Sequence, residues 1–492
     1  MKKLTPRTLS RRRFLGTVGT TTAALTIVPN YVISGLGHKA PSDMINVAGI
    51  GIASQGSVDI QGIATPDIPI KPFTPEQLAG LSKSGQEYQA MVIKWNHESL
   101  KQSGEPKTVK LANIYALCDV DSNYAANTFA AYPKAKIYSD WRQMLEKEKS
   151  IDAVVIATPD HNHAPIAAAF IKEKKHVYLE KPMAKTIYEC RKLAELAKQY
   201  KVVTQMGNQG HASDGTRRTV EWIQSGVIGD VREVNCFTSS PIWPQGNIPR
   251  PAGIKVPKNL NWDVWLGPAP EKPFNPELCH FAWRGLWDYG TGAIGDLGAH
   301  ILDAVTWSLN LGLPIKIQAT STPYSSDYMP LAETVVYEFP DRFTPGIGYM
   351  PSVKVTWSDG GLLPPRPAAL EQGRPISAAT YIGDKGIIMH ESHGAMPELV
   401  PANPGFKGPD PWIPRTGNIY EDWIDAIKNG KKSSNDFSWS AKVTEIMLLT
   451  NIAIQAQKSN KILEYDGANM KITNLPEANS LLQYEYRKGW SL

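Results

Sequence analysis

From Met44 to Met206 the chain alternates short apolar runs of buried-strand length with longer stretches of helical periodicity. Met44–Gly51 is such a run, ending in glycines, and a helical pattern follows over 57–64. Leu111–Cys118 and Ile151–Ala157 read as further strands, the latter almost wholly apolar, as a strand covered on both faces should be. A helix is expected over 164–174, a strand over 176–179, a helix reaching about Tyr200, and a closing strand over 202–206. This alternation predicts a parallel sheet with helices on both faces. One segment breaks the rhythm. Over 65–109, Pro66, Pro69, Pro72 and Pro75 precede a polar helical run from Glu76 to Gln102, so the segment reads as an insertion before the second strand.

From Gly207 the pattern changes. A helix is expected over 217–226 and an alternating strand over 231–239, with β-like runs at 315–321, 334–339, 352–357 and 380–382. With a helix through His300, these predict a second, α+β domain with an open, mainly antiparallel sheet. The expected division is a leader over 1–40, an α/β domain over 41–207 and the second domain over 208–492. With 42% hydrophobic and 20% charged residues, the composition supplies two cores and excludes disordered, collagenous and coiled-coil classes.

The charge of +5 sits at one end: residues 1–40 hold seven Lys and Arg and no acid, leaving −2 for residues 41–492. Such a body has no electrostatic footprint for nucleic acid. Ser10-Arg11-Arg12-Arg13-Phe14-Leu15-Gly16 resembles the bacterial twin-arginine export signal. The apolar stretch behind it, Phe14–Ile33, is diluted by threonines and broken by Pro29, a poor membrane span. A periplasmic protein, exported folded and without a span in its mature form, is expected. Cys118, Cys190, Cys236 and Cys279 are scattered without a C-x-x-C pair, so buried free thiols are expected rather than disulfides or a thiolate metal site.

Gly49 and Gly51 begin a partial G-x-G-x-x-G fingerprint whose third position is Ser54, followed by Gln55 and Gly56. In such a turn the glycines allow a tight bend, close approach of a pyrophosphate and close strand–helix contact. Asp119 ends the second strand, where an acid accepts hydrogen bonds from the adenosine ribose and repels a 2′-phosphate, selecting NAD over NADP. Thr158-Pro159-Asp160-His161-Asn162-His163 and Glu180-Lys181-Pro182 occupy the ends of later strands, the sheet edge where ligands gather.

Glu180-Lys181-Pro182 in this place resembles the glucose–fructose oxidoreductase, inositol dehydrogenase and rhizopine-catabolism (Gfo/Idh/MocA) family. A second motif carries the same resemblance: Trp283-Arg284-Gly285-Leu286-Trp287-Asp288-Tyr289-Gly290-Thr291-Gly292, leading into Gly295-Asp296-Leu297-Gly298-Ala299-His300 and Asp303. The resemblance runs from about Asn46 to at least Asp303. It implies a Rossmann domain followed by an open-sheet domain, a homo-oligomer, and Lys181, Asp296 and His300 as the catalytic group. The residue types suit oxidation of a carbinol, which needs a base for the hydroxyl proton and a hydride acceptor at the same carbon. Asp296 and His300, at i and i+4, share one helix face.

By the same pattern, cofactor contacts are expected from Gly49, Gly51, Ser54, Gln55, Asp119, Thr158, Pro159, Asn162, His163, Glu180, Lys181 and Gln209. Substrate contacts are expected from His211, Arg284, Trp287, Asp288 and Tyr289, in a region where tryptophan faces suit pyranose rings. His161, His163 and His211 lack the spacing of a metal site, and none is expected. The expected function is an NAD-dependent oxidoreductase acting on a sugar, glycoside or cyclitol with tightly bound NAD. A redox-neutral NAD-requiring glycosidase or lyase is the alternative within the family. A non-catalytic NAD-bound sugar-binding protein is the other, and Lys181, Asp296 and His300 argue against it.

Overall fold

The computed structural model of the protein describes residues 44–91, apart from 82 and 84, and 108–492. The leader read over 1–40 and the stretch 92–102 of the polar run lie outside the described residues. Strands β1 (Asn46–Ile50), β2 (Asn113–Cys118), β3 (Lys136–Tyr138), β4 (Ala153–Ile156), β5 (His176–Leu179) and β6 (Thr204–Met206) form one parallel sheet. Their order is β3-β2-β1-β4-β5-β6, so the winding reverses between β1 and β4. At such a reversal the loops leaving neighbouring strands diverge and leave a crevice. All four residues of β4 are buried, the result of helices on both faces. β3 escaped the sequence reading because this three-residue edge strand is largely exposed and carries no apolar run.

The ends of the 65–109 insertion lie side by side. Ala64 pairs with Lys110, and the Thr65 amide donates to the Val109 carbonyl at 2.8 Å. The segment therefore leaves and rejoins the sheet beside β2, whose parallel pairing with β1 shifts register once, between Val47 and Ala48.

The second sheet has nine strands in the order β15-β14-β13-β7-β12-β9-β8-β16-β17. These are β7 (Val231–Phe237), β8 (Lys316–Ser321), β9 (Glu333–Phe339), β12 (Val353–Ser358), β13 (Ala379–Gly383), β14 (Ile387–His390), β15 (Glu398–Val400), β16 (Leu463–Asp466) and β17 (Lys471–Ile472). Every pairing is antiparallel except β7 with β12. A separate hairpin joins β10 (Arg342–Thr344) and β11 (Gly348–Met350). In β9 buried residues alternate with half-buried ones, the mark of a sheet covered on one face. The helices Gly292–Ser308 and Phe437–Ala456 provide that cover. The second of them also lies along the helix Ile187–Tyr200 of the first sheet, and the two halves share one continuous core.

All four cysteines are buried and free. Among the described residues, no helix is long and apolar enough to cross a membrane.

Candidate active site

A cavity of about 820 Å³ extends from the C-terminal ends of β1, β2, β4 and β5 to the helix Gly292–Ser308. At the β1 end the turn depends on two glycines. Gly51 has φ +75°, and a Cβ there would stand 2.7 Å from the Ala157 carbonyl oxygen. A Cβ on Gly56 would come within 2.1 Å of the Gly51 carbonyl oxygen. Gly56 thus lets the helix Gln55–Ile63 close on the turn, the task a fingerprint's third glycine performs two residues earlier. That helix starts at Ser54, whose side chain caps none of its amides, while the Ser54 carbonyl accepts from the Ser57 amide at 3.0 Å.

The Asp119 carboxylate borders the same end and accepts from the Ile52 amide at 2.9 Å and the Asp121 amide at 3.0 Å. Burial nevertheless lifts its pKa to about 7, with the neighbouring Asp121 adding to the effect and the two amides opposing it. Asp121 in turn holds His280 at 2.8 Å and accepts from Asn259 at 2.7 Å. Both partners belong to the second half of the chain, which closes over the mouth of the crevice.

At the other end, the Lys181 ammonium, beyond β5, donates to the Asp296 carboxylate at 2.6 Å and to the Asp296 carbonyl at 3.0 Å. The side chains are 14% and 20% exposed, so the pair lies at the cavity wall rather than in bulk solvent. Burial pushes the Asp296 carboxyl up, but Lys181 and Arg284 more than offset this and leave it below its ordinary value. Gly295 makes the junction possible, because a Cβ there would meet Thr291 and press on the Pro182 ring. One turn beyond Asp296, His300 is buried, and its Nδ1 has no partner within the chain. Burial, then His393 and Lys181, drive its pKa well below the ordinary histidine value, so it is a neutral imidazole.

The fold brings most of the expected residues to this cavity. Gly51, Ser54, Gln55, Asp119, Thr158, Pro159, Asn162, Glu180, Lys181 and Gln209 line it, as do Arg284, Asp296 and His300. Six do not. Gly49 lies within β1, where its missing side chain admits Ile52 and Ile60 instead of a ligand. His163 is buried with its ring nitrogens 2.8 Å from the Pro182 and Thr158 carbonyls, and so ties two strand-end loops together. The polar Asp160–His163 stretch is the start of a helix, Asp160–Lys172, rather than a preceding loop; its polar side chains have buried partners.

His211 is buried between the Asp303 carboxylate, at 2.8 Å, and the Ser434 carbonyl, with Trp307 stacked on its ring. Trp287 packs on Tyr324. Asp288 faces Lys272 and Arg250 in an ion-pair cluster. Tyr289 is fully buried against Trp265 and accepts from Arg250. The last three flank the motif helix in sequence but turn away from it, because Gly290 folds tightly against the Arg284 backbone.

Sequence reasoning missed other wall residues. Tyr88, from the insertion, stacks on Phe281 with centroids 4.1 Å apart, and both line the cavity. Trp243 and Trp283 flank the Arg284 guanidinium. Tyr420, on the helix Ile419–Asn429, donates to Asp59 at 2.9 Å beside Glu180. His393 stacks on His300. Trp283 opens the Trp283–Gly292 motif and Trp243 belongs to the same tryptophan-rich region, whereas Tyr88, Phe281, Tyr420 and His393 stand as isolated aromatic or histidine positions with no motif to mark them.

A family model described as an oxidoreductase family C-terminal alpha/beta domain matches residues 230–492. A second, described as an oxidoreductase family NAD-binding Rossmann fold, matches residues 78–208. Levoglucosan dehydrogenase of Pseudarthrobacter phenanthrenivorans is 32% identical over 166 residues, covering 34% of this chain and 34% of that protein. Inositol 2-dehydrogenase of Salmonella paratyphi B is 30% identical over 124 residues, or 25% of this chain and 37% of that protein. The chain thus matches about a third of the length of these curated relatives. Among solved structures, the WlbA dehydrogenase of Bordetella pertussis, in complex with NADH and UDP-GlcNAcA, superposes with a TM-score of 0.51. The match covers 86% of this chain and 99% of that one at 16% identity, a likeness of fold.

Proposed function

The chain belongs to the Gfo/Idh/MocA oxidoreductase family, and we propose that it oxidises a ring carbinol of a sugar, glycoside or cyclitol with tightly bound NAD. The observation that carries this reading is the Lys181–Asp296 ion pair beside the neutral imidazole of His300, whose Nδ1 has no partner within the chain, in one cavity wall. The relatives named for inositol and levoglucosan support the substrate class.

The cavity fits a dinucleotide. Besides the glycine turn and the helix start that lacks a side-chain cap, Thr158 Oγ1 is buried at its wall without a partner in the chain, a position that calls for a polar group on a ligand. Gly51, Ser54, Gln55 and Asp119 would hold its phosphate and adenosine portions, and Thr158, Pro159 and Asn162 its other half. Asp119 and Asp121 side by side favour NAD over NADP, because a 2′-phosphate would meet two carboxylates. When bound, NAD supplies the acceptor for the carbinol hydride.

The chain's residues manage the proton and the oxygen. Lys181 donates to the reacting oxygen and stabilises its alkoxide character, while Asp296 fixes the ammonium in place and offsets its charge. His300 has a lone pair to accept the hydroxyl proton, and as a neutral imidazole it is in the state a base requires. Trp243 and Trp283 offer flat faces for a ring, with Arg284 between them as a donor.

The Ser10–Gly16 motif supports export in the folded state to the periplasm, where tightly held NAD would matter because no free pool recycles it. The open second sheet supports a homo-oligomer. The test is absorbance in the reduced-nicotinamide band of NAD-loaded protein, before and after a panel of sugars, glycosides and inositols. Reduction by one compound is the expected result. Glycoside cleavage without net reduction would replace this reading by the redox-neutral glycosidase. Bound NAD that responds to no compound would replace it by the binding protein.

A further inference from the structure

Residue His393 reaches the cavity on the loop that follows β14, far in sequence from every motif described above. Its ring lies face to face with that of His300, centroids 3.8 Å apart and planes 22° from parallel. It is exposed, on the open side of the buried His300 ring. The loop is fixed in an uncommon conformation. His393 has φ +60°, a left-handed backbone that costs a non-glycine residue about 1–2 kcal/mol. A residue remains there only when its surroundings over-determine it.

Neighbouring segments supply those constraints. Gly210 approaches so closely that a Cβ on it would stand 2.7 Å from the His393 carbonyl carbon. The Ser213 hydroxyl donates to the Gly394 carbonyl at 2.9 Å, and Gly215 leaves no room for a side chain beside that carbonyl. Ser392 Oγ lies 2.7 Å from His393 Nδ1 and fixes the ring's rotation. One ring nitrogen is therefore occupied, while Nε2 of this cavity-lining residue makes no hydrogen bond among the described residues.

We propose that His393 is a further substrate-contacting residue, and that the paired imidazoles recognise two neighbouring ring hydroxyls, His300 at the oxygen that is oxidised and His393 at the one beside it. Two nearly parallel rings present their edges side by side, at a separation set by van der Waals contact, which suits adjacent oxygens on one ring. With Nδ1 beside Ser392, His393 has one nitrogen left, a donor or an acceptor according to its tautomer, and a hydroxyl can meet either. Lys181 beside the pair disfavours charge on either ring. The substrate class follows: a vicinal diol on a sugar or cyclitol ring, unsubstituted at both positions. The inference rests on the carbinol-oxidation reading above for the role of His300.

The test uses the full NAD-loaded chain with isotope-labelled histidines, and myo-inositol, D-glucose, methyl β-D-glucopyranoside and levoglucosan as probes. A bound probe is expected to move the imidazole nitrogen resonances of both His300 and His393. A mono-deoxy analogue lacking the neighbouring hydroxyl is expected to leave His393 unmoved. His393→Phe keeps a stacked ring and removes the nitrogens. It should lower kcat/KM for the diol by about tenfold to a hundredfold, the worth of one hydrogen bond with its desolvation, and alter the deoxy analogue by less than about threefold. Equal losses for the two compounds, or a His393 resonance that no probe moves, would overturn the assignment. A probe that moves both resonances without reducing the nicotinamide keeps the diol site and sinks the oxidation reading. Reduction without any shift at His393 does the reverse.

Discussion

At the Asp119 end of the cavity the wall comes from the ends of β1, β2 and β4, neighbouring strands of one sheet; at the Asp296 end it comes from scattered segments. There Lys181 follows β5, Arg284 precedes the helix Gly292–Ser308, Asp296 and His300 lie on it, and His393 arrives after β14. The first end is set by backbone geometry, a positive φ at Gly51 and a carboxylate held by two amides. The second is set by long-range contacts between side chains. Residues at the two ends should therefore fail in different ways when changed.

The largest expected effect lies at the junction. Lys181→Met should lower kcat by about a thousandfold, in the range for losing a proton-handling or oxyanion-stabilising group, while NAD remains bound. Single-turnover reduction and the absorbance of bound cofactor separate the two, and loss of NAD along with activity would blur the division between the ends. Gly51→Ala tests the first end. The strained φ and the contact with Ala157 should cost about 2 kcal/mol or more, read as a lower Tm and about thirtyfold weaker NAD binding. KM for the sugar in the remaining holoenzyme should be unchanged.

The pH dependence sharpens the comparison further. Asp119, Asp160 and Asp59 each rise from 3.8 to about 7 on burial. Between these values the folded chain holds more protons than the unfolded one. Their contribution to stability is therefore present below about pH 4 and lost as pH rises to about 7. The cofactor-free protein should lose stability over that window by thermal melts, and Asp119→Asn should flatten the slope. Ribose hydroxyls donating to Asp119 require the carboxylate form, so NAD affinity should rise by about tenfold between about pH 6 and 8. Asp288→Asn should do least. It weakens the cluster with Lys272 and Arg250 by about 1 kcal/mol or less and leaves kcat/KM within about threefold. A larger kinetic loss would return Asp288 to the substrate site.

The sequence was a good guide wherever one short segment carries the physics. Alternating apolar runs and helical periods located β1, β2, β4 and β5, because buried parallel strands have to be apolar along their length. The i, i+4 spacing of Asp296 and His300 put both on one helix face, and the fold turns that face to the cavity. Trp287, Asp288 and Tyr289 sit just before that helix, yet the tight contact of Gly290 with the Arg284 backbone turns them into other surroundings. A linear pattern carries no information about which way such a bend points.

His211 shows the same limit from the other side. A loop histidine after a strand has the address of a ligand residue, but Asp303 and the Ser434 carbonyl claim both its nitrogens. The insertion over 65–109 was legible only as an interruption; its contribution, Tyr88 against Phe281, depends on a segment nearly two hundred residues away. By itself, then, the sequence determined most of the strands and helices, the parallel sheet and the shared helix face of Asp296 and His300, since each follows from periodicity or spacing within a short stretch, whereas the grouping of Lys181 with them was implied by the family resemblance. Only the tertiary structure decided that His393 stacks on His300, that Gly56 takes over the third glycine's task, and that Asp121 is met by His280. Those contacts join residues whose separation along the chain has no period, and they exist only because two sheets share one core.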